Sequence, residues 1–116
     1  MGAMGFNVIK VGRYNTAQQA FNEAVEDAAY EHGHGGYTGT IAEKNTFRMI
    51  DCPPKHNPYK LADKIQEDYD HWVQDKWGPA GCIEINGAFL KRVKERYGYK
   101  GKKNIRAFIF FGIASS

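Results

Sequence analysis

The run Ile105-Arg106-Ala107-Phe108-Ile109-Phe110-Phe111-Gly112-Ile113-Ala114 constrains this chain more than any other stretch, because Arg106 is its only polar residue. Successive side chains of a strand point to opposite faces, so a strand with one wet face alternates apolar and polar residues. This run does not alternate. Its length and its β-branched and aromatic content read as a strand buried on both faces, and therefore central in a sheet. No apolar run reaches the ~18 residues that a membrane-spanning helix needs. A length of 116 residues fits one compact domain, expected over residues 1–116, and is enough to bury a core without metal or disulfide support.

Elements that would flank this strand follow from periodicity. Residues 6–11, Phe-Asn-Val-Ile-Lys-Val, alternate roughly and end at Gly12, which predicts a first strand. Asn15 then starts a helix, with Gln18 able to reach back as in a capping box. Ala17, Ala20, Phe21, Ala24, Val25, Ala28 and Ala29 recur at three- and four-residue spacing, and Gly33 closes the helix. Thr38 to Lys44 and Thr46 to Ile50 read as two strands joined at Asn45 in a hairpin. Three prolines between Asp51 and Pro58 make a loop. Asn57 caps a second helix, whose apolar stripe is Leu61, Ala62, Ile65, Tyr69, Trp72, Val73 and Trp77, with the two tryptophans in the core. Cys82 to Ile85 reads as a strand and Asn86-Gly87 as a tight turn; from Ala88, Phe89, Leu90, Val93 and Tyr97 fit a short third helix, with a long twisted strand as the alternative.

The expected fold class is therefore α+β: a mixed sheet of about five strands with two amphipathic helices on one face. The order is β-α-β-β-α-β, then a helix and a last strand. Its first six elements match a ferredoxin-like split β-α-β unit.

Charge divides the chain unevenly. Residues 1–87 carry eight Lys/Arg against twelve Asp/Glu, a net of −4; residues 88–116 carry eight against one, a net of +7. The basic segment is Lys91, Arg92, Lys94, Arg96, Lys100, Lys102, Lys103 and Arg106, interleaved with Tyr97 and Tyr99. Lysine and arginine neutralise phosphates and tyrosine stacks on unpaired bases, so this composition points to nucleic acid. A solvated helix face has a similar composition.

The second candidate is His32-Gly33-His34-Gly35-Gly36-Tyr37-Thr38-Gly39-Thr40, with four glycines, two histidines and two hydroxyls between regular elements. It follows a helix C-terminus and lacks the Lys-Ser/Thr ending of a nucleotide-triphosphate loop, which excludes that motif. The glycines can instead form an anion-binding nest beside Tyr37, Thr38 and Thr40, or simply a Gly-closed helix and a turn. His32 and His34 have the chemistry of an acid–base pair in phosphoester cleavage. No spacing of Cys52, His56, His71 or Cys82 marks a zinc site, and no cofactor or metal is expected. The acidic residues of the second helix spread away from its apolar stripe, as a solvated face does.

Three blocks carry a resemblance: Glu31 to Lys44, Asp75-Lys76-Trp77-Gly78-Pro79-Ala80-Gly81, and Phe110 to Ser116. In them the chain resembles small uncharacterised proteins encoded by bacteriophages and prophages. The resemblance implies a compact accessory protein that binds nucleic acid or a host or defence component, and it carries over no catalytic residue.

Binding is thus expected ahead of catalysis. The expected partner is nucleic acid or a nucleotide, met by His32, His34, Tyr37, Thr38 and Thr40 in the loop and by Lys91, Arg92, Lys94, Arg96, Tyr99, Lys100, Lys102, Lys103 and Arg106. An inhibitor that covers a host or defence protein is the alternative, and a small phosphoester-acting enzyme using His32 and His34 the third. No membrane partner is expected. The amino end lacks the charged and apolar regions of a secretory signal, so a cytoplasmic setting in a bacterial host is expected, with Cys52 and Cys82 reduced.

Overall fold

The computed structural model describes residues 2–33 and 36–116. Among them lie one mixed four-stranded sheet, three α-helices and two 3-10 turns, an α+β fold. Strands β1 (Ala3–Gly12), β2 (Phe47–Met49), β3 (Ala80–Ile85) and β4 (Arg106–Ser115) lie side by side in the order β1-β4-β3-β2. β4 is antiparallel to both its neighbours, and β2 is parallel to β3. The strands β1, β2 and β3 therefore all point one way, and β4 alone points back.

β4 is central and buried on both faces, as its sequence requires. Phe108 and Phe110 lie on one face with Phe6, Phe21, Ala20, Ala24 and Ile41. Ala107, Ile109 and Phe111 lie on the other with Ala62, Val73, Ile83, Ile85 and Val93. Helix α1 (Ala17–His32) covers the first face. Helices α2 (Pro58–Gln66) and α3 (Gly87–Arg96) cover the second. This overturns the expectation of two helices on one face. The reason is the direction of the crossovers. The β1-α1-β2 connection crosses the sheet from one edge to the other, and β2-α2-β3 turns back, so connections of one hand must lie on opposite faces.

α1 forms where its alanine stripe predicts. The small side chains of Ala20 and Ala24 let the helix approach the sheet, while Phe21 fills the space between Phe47 and Phe110. Its cap lies one residue beyond the expected Asn15. Thr16 Oγ1 accepts from the Gln19 amide, and Gln19 Oε1 accepts from the Asn15 amide. Gly33 closes it as expected, at φ 87° with its amide on Ala29 O.

Three further expectations give way. Residues 38–44 form no strand. Thr40 caps a 3-10 turn over Ile41–Glu43 by accepting from the Ala42 amide, which offers the backbone an alternative to a ladder. There is then no hairpin, β2 pairs in parallel with β3, and the strand-to-strand step of a ferredoxin-like order is missing. The second helix ends at Gln66, not near Trp77. Asp68 Oδ1 accepts from the Asp70 amide and His71 Nδ1 from the Val73 amide, so side chains take over the backbone bonds there. Trp72 and Val73 sit in a separate 3-10 turn, and Trp77 is 65% exposed, not core. Asn86-Gly87 is no hairpin turn: Gly87 opens α3, the predicted third helix.

Phe110→Ala is expected to destabilise the protein by about 3–5 kcal/mol in urea unfolding, because the ring is fully buried and nothing else fills its place. A loss under about 1 kcal/mol would contradict this packing.

Candidate functional site

β1, β2 and β3 end at Gly12, Met49 and Ile85, and β4 begins among those ends at Arg106. Loops at carboxyl ends of parallel strands gather here: residues 13–16, 50–57, 86 and 97–105. The basic segment belongs to this end of the sheet.

Arg106 is its anchor. Its Nε and Nη2 donate to the two oxygens of Glu84 on β3 at 3.0 and 3.1 Å, and Nη1 donates to Asn15 O at 2.7 Å. The guanidinium therefore ties β3 and β4 to the start of α1, and its expected role as a free binding cation is not what its partners show. The bond to Glu84 also raises its pKa. Arg13, Tyr14, Asn15 and Asn104 surround it in an open depression of ≈ 520 Å³. Burial raises the Tyr14 phenol, helped by its hydrogen bond to Glu23.

The loop after α3 is folded back on the helix. The Tyr99 amide donates to Lys94 O at 2.8 Å, and Lys94 Nζ donates to Lys102 O at 2.7 Å. Tyr99 is half-buried against the α2–α3 core, so it is a packing residue more than a stacking platform, and the exposed ring is Tyr97. Arg92 lies over Phe89 at 5.6 Å. Lys91, Arg92, Arg96, Lys100, Lys102 and Lys103 are exposed, and none forms an ion pair among the described residues. Leu90, Lys91, Lys94 and Lys100 line a shallow cavity of ≈ 430 Å³ between α3 and Gly101. Beside it, Pro53, Pro54, His56, Asn86 and Phe89 line another of ≈ 360 Å³.

The glycine-rich loop lies at the opposite end of the sheet. The Gly39 amide donates to Ser115 O at 2.8 Å, at the last residue of β4. The length of β4 separates it from Arg106, about 30 Å at ~3.3 Å per residue. The two candidate regions thus make no composite site. The anion expected in the loop is supplied by the chain itself. Glu43 accepts from the Tyr37 and Thr38 amides at 3.1 and 3.2 Å and from Thr38 Oγ1 at 2.7 Å. Thr40 Oγ1 lies 2.8 Å from Thr38 Oγ1. Both hydroxyls are therefore engaged within the loop. Burial raises the Glu43 carboxyl, but the bonds from Thr38 and Tyr37 outweigh it and hold the pKa below its ordinary value. Gly39, at φ 72° and packed on Met4, needs to be glycine for conformation and space.

Beyond the loop, Tyr37 meets Trp77 edge-on at 6.4 Å, and Lys76 lies over the Trp77 ring. Lys44 is buried, and its Nζ donates to Asp75 O, Lys76 O and Gly78 O. Burial lowers its pKa, against the pull of Asp75. His32 is exposed at the end of α1, 3.8 Å from Glu31. His34 lies outside the described residues, so the expected histidine pair has one described member. Cys52 and Cys82 are both free, and burial pushes Cys82 up to about 12, with Glu84 adding to the rise. Among the described residues no cluster could hold a metal ion, and no helix is long and apolar enough to cross a membrane.

Fold and site together define an α+β protein in which Lys91, Arg92, Arg96, Lys100, Lys102 and Lys103, unpaired among the described residues, lie on α3 and the loop after it at one end of a mixed sheet. Compared with known proteins, the chain matches no family model, no curated protein and no solved structure. Sequence reasoning missed Arg13 and Lys55, which join this end only through the parallel direction of β1 and β2. It also missed the Glu84–Arg106 fork, which no spacing announces.

Glu43→Gln is expected to cost on the order of 1 kcal/mol at pH 7, the low end for bonds to a charged group because the loop is open to water. A depressed folded-state pKa stabilises above the unfolded value of 4.5 and loses that contribution as pH falls below it. The gap between wild type and variant in thermal melts should therefore close below pH 4.5. A gap that stays constant down to pH 3 would show that the Glu43 charge is not what holds the loop.

Proposed function

We propose that the protein binds nucleic acid through α3 and the loop that follows it, at the carboxyl end of β1, β2 and β3. One observation carries this reading: Lys91, Arg92, Arg96, Lys100, Lys102 and Lys103 are exposed together without carboxylate partners among the described residues. A folded surface that gathers unpaired cations attracts a phosphate backbone and releases its counterions. Exposed Tyr97 adds a ring on which an unpaired base can stack. Position supports it too, since ligands of wound α/β sheets bind outside the carboxyl ends of parallel strands. The glycine-rich loop has no part in this surface.

A second reading rests on the other end of the sheet. Met4, Tyr37 and Trp77 are 58%, 53% and 65% exposed; Met4 lies against Gly39, and Tyr37, two residues before it, meets Trp77 edge-on. Exposed aromatic clusters mark protein contacts, which suits an inhibitor that covers a host or defence protein in a phage setting. That reading needs Trp77 and is indifferent to the charges of α3.

Replacing Lys100, Lys102 and Lys103 with glutamate should abolish binding of labelled single-stranded or duplex DNA in fluorescence anisotropy at about 0.15 M salt, with the fold unchanged by circular dichroism. Lys102→Ala alone should lower the slope of log affinity against log salt by about 0.7–0.9. Binding that ignores salt, or survives the triple reversal, would count against the proposal.

A further inference from the structure

The outer edge of β1 is long, polar in its backbone and unpartnered. Gly2 and Ser116 exchange both backbone hydrogen bonds, at 2.9 and 3.1 Å. Bonded pairs alternate along an antiparallel ladder. The unbroken register from Ala3↔Ser115 to Gly12↔Arg106 therefore turns Met4, Phe6, Val8, Lys10 and Gly12 toward β4. Ala3, Gly5, Asn7, Ile9 and Val11 present their amides and carbonyls outward. Ser115 obeys the same parity, since its carbonyl points away from β1 and takes the Gly39 amide. Among the described residues nothing bonds to the outward groups of β1.

Edges of this kind are ordinarily blunted by shortness, charge or a bulge. The opposite edge, β2, is three residues long. β1 has ten residues and no bulge. Its one charge, Lys10, is turned onto the α1 face and held by Asp27 at 2.8 Å and Glu23 at 3.3 Å. Tyr30 shares the helical stripe of Glu23 and Asp27 at three- and four-residue spacing, which places it on the β1 side of α1. It is 91% exposed, and Met4 on the same face of β1 is 58% exposed.

We propose that this edge is a self-association surface, pairing antiparallel with β1 of a second copy of the chain about a two-fold axis through Asn7. The pattern of outward groups is symmetric about Asn7, so every outward amide of one copy meets an outward carbonyl of the other. Ala3 then faces Val11, Gly5 faces Ile9, and Asn7 faces its own counterpart. On the α1 face, Phe6 stands beside Val8 and Met4 beside Lys10. No two like charges of the strands fall opposite one another, and a two-fold contact of this type closes without leaving a new edge at the junction. The pair would be one continuous eight-stranded sheet.

Sedimentation equilibrium should give wild type the mass of two chains and Asn7→Pro the mass of one. Proline at Asn7 removes only an outward amide, so the bonds to β4 stay intact and circular dichroism should be unchanged. Should that variant fail to fold, cysteine linkage decides. Asn7→Cys in a Cys52→Ser background should oxidise to a covalent dimer, since bonded cross-strand pairs stand about 5.5 Å apart, within disulfide reach. Ala3→Cys should remain unlinked, its two copies lying about 27 Å apart along the strands. A monomeric wild type, a dimeric Asn7→Pro, or equal linkage at both cysteines would overturn the proposal, as would an edge taken instead by a strand of another protein.

Discussion

Burial of β4 on both faces is the constraint from which the rest of the structure follows. Phe108 and Phe110 point one way, Ile109 and Phe111 the other, and all four are fully buried. Leaving one face bare would return two large apolar side chains to water, at about 1.5–3 kcal/mol each. That sum is a large part of the ~5–15 kcal/mol that holds a domain folded. Two covering layers are therefore obligatory, and a chain with few helices must send them to both faces. A return crossover from the far edge does this, and it also sets β1, β2 and β3 parallel with their carboxyl ends together.

α1 and β4 could be read from the sequence because a single pattern dominates each. The alanine stripe of residues 17–29 has no strand interpretation, and residues 105–114 have no half-exposed one. The stretch 38–44 misled because threonine and isoleucine favour strands while threonine also caps turns. Only the fold shows that Thr40 and Glu43 are used in the second way. The second helix was overextended for a related reason. Tyr69, Trp72 and Trp77 continue its apolar period, yet Asp68 and His71 capture the backbone first. Which faces the helices cover is a property of strand order, which periodicity does not carry.

The candidate site was half legible. Charge imbalance marked residues 91–106, and the structure leaves most of those cations exposed. It withdraws Arg106 into a fork with Glu84, because a residue at the start of a central strand is recruited by the fold before any ligand, and it leaves Tyr99 half-buried against the α2–α3 core. Glycine density marked residues 32–40 with equal force, but it reports turns, a helix end and one close approach to Met4. Ligand loops and capped turns share the same residues. What separates them is the partner of the amides, here the carboxylate of Glu43, six residues beyond Tyr37.

The surface proposed for nucleic acid lies at the carboxyl end of β1, β2 and β3, and the proposal gives the glycine-rich loop at the opposite end no part in it. An amide NMR titration of labelled protein with single-stranded DNA, duplex DNA and RNA at low salt tests it most directly. Shifts concentrated in residues 87–106 and around Arg13, with residues 36–43 silent, are the predicted result. Shifts centred on residues 36–43, or none with any nucleic acid, would contradict it.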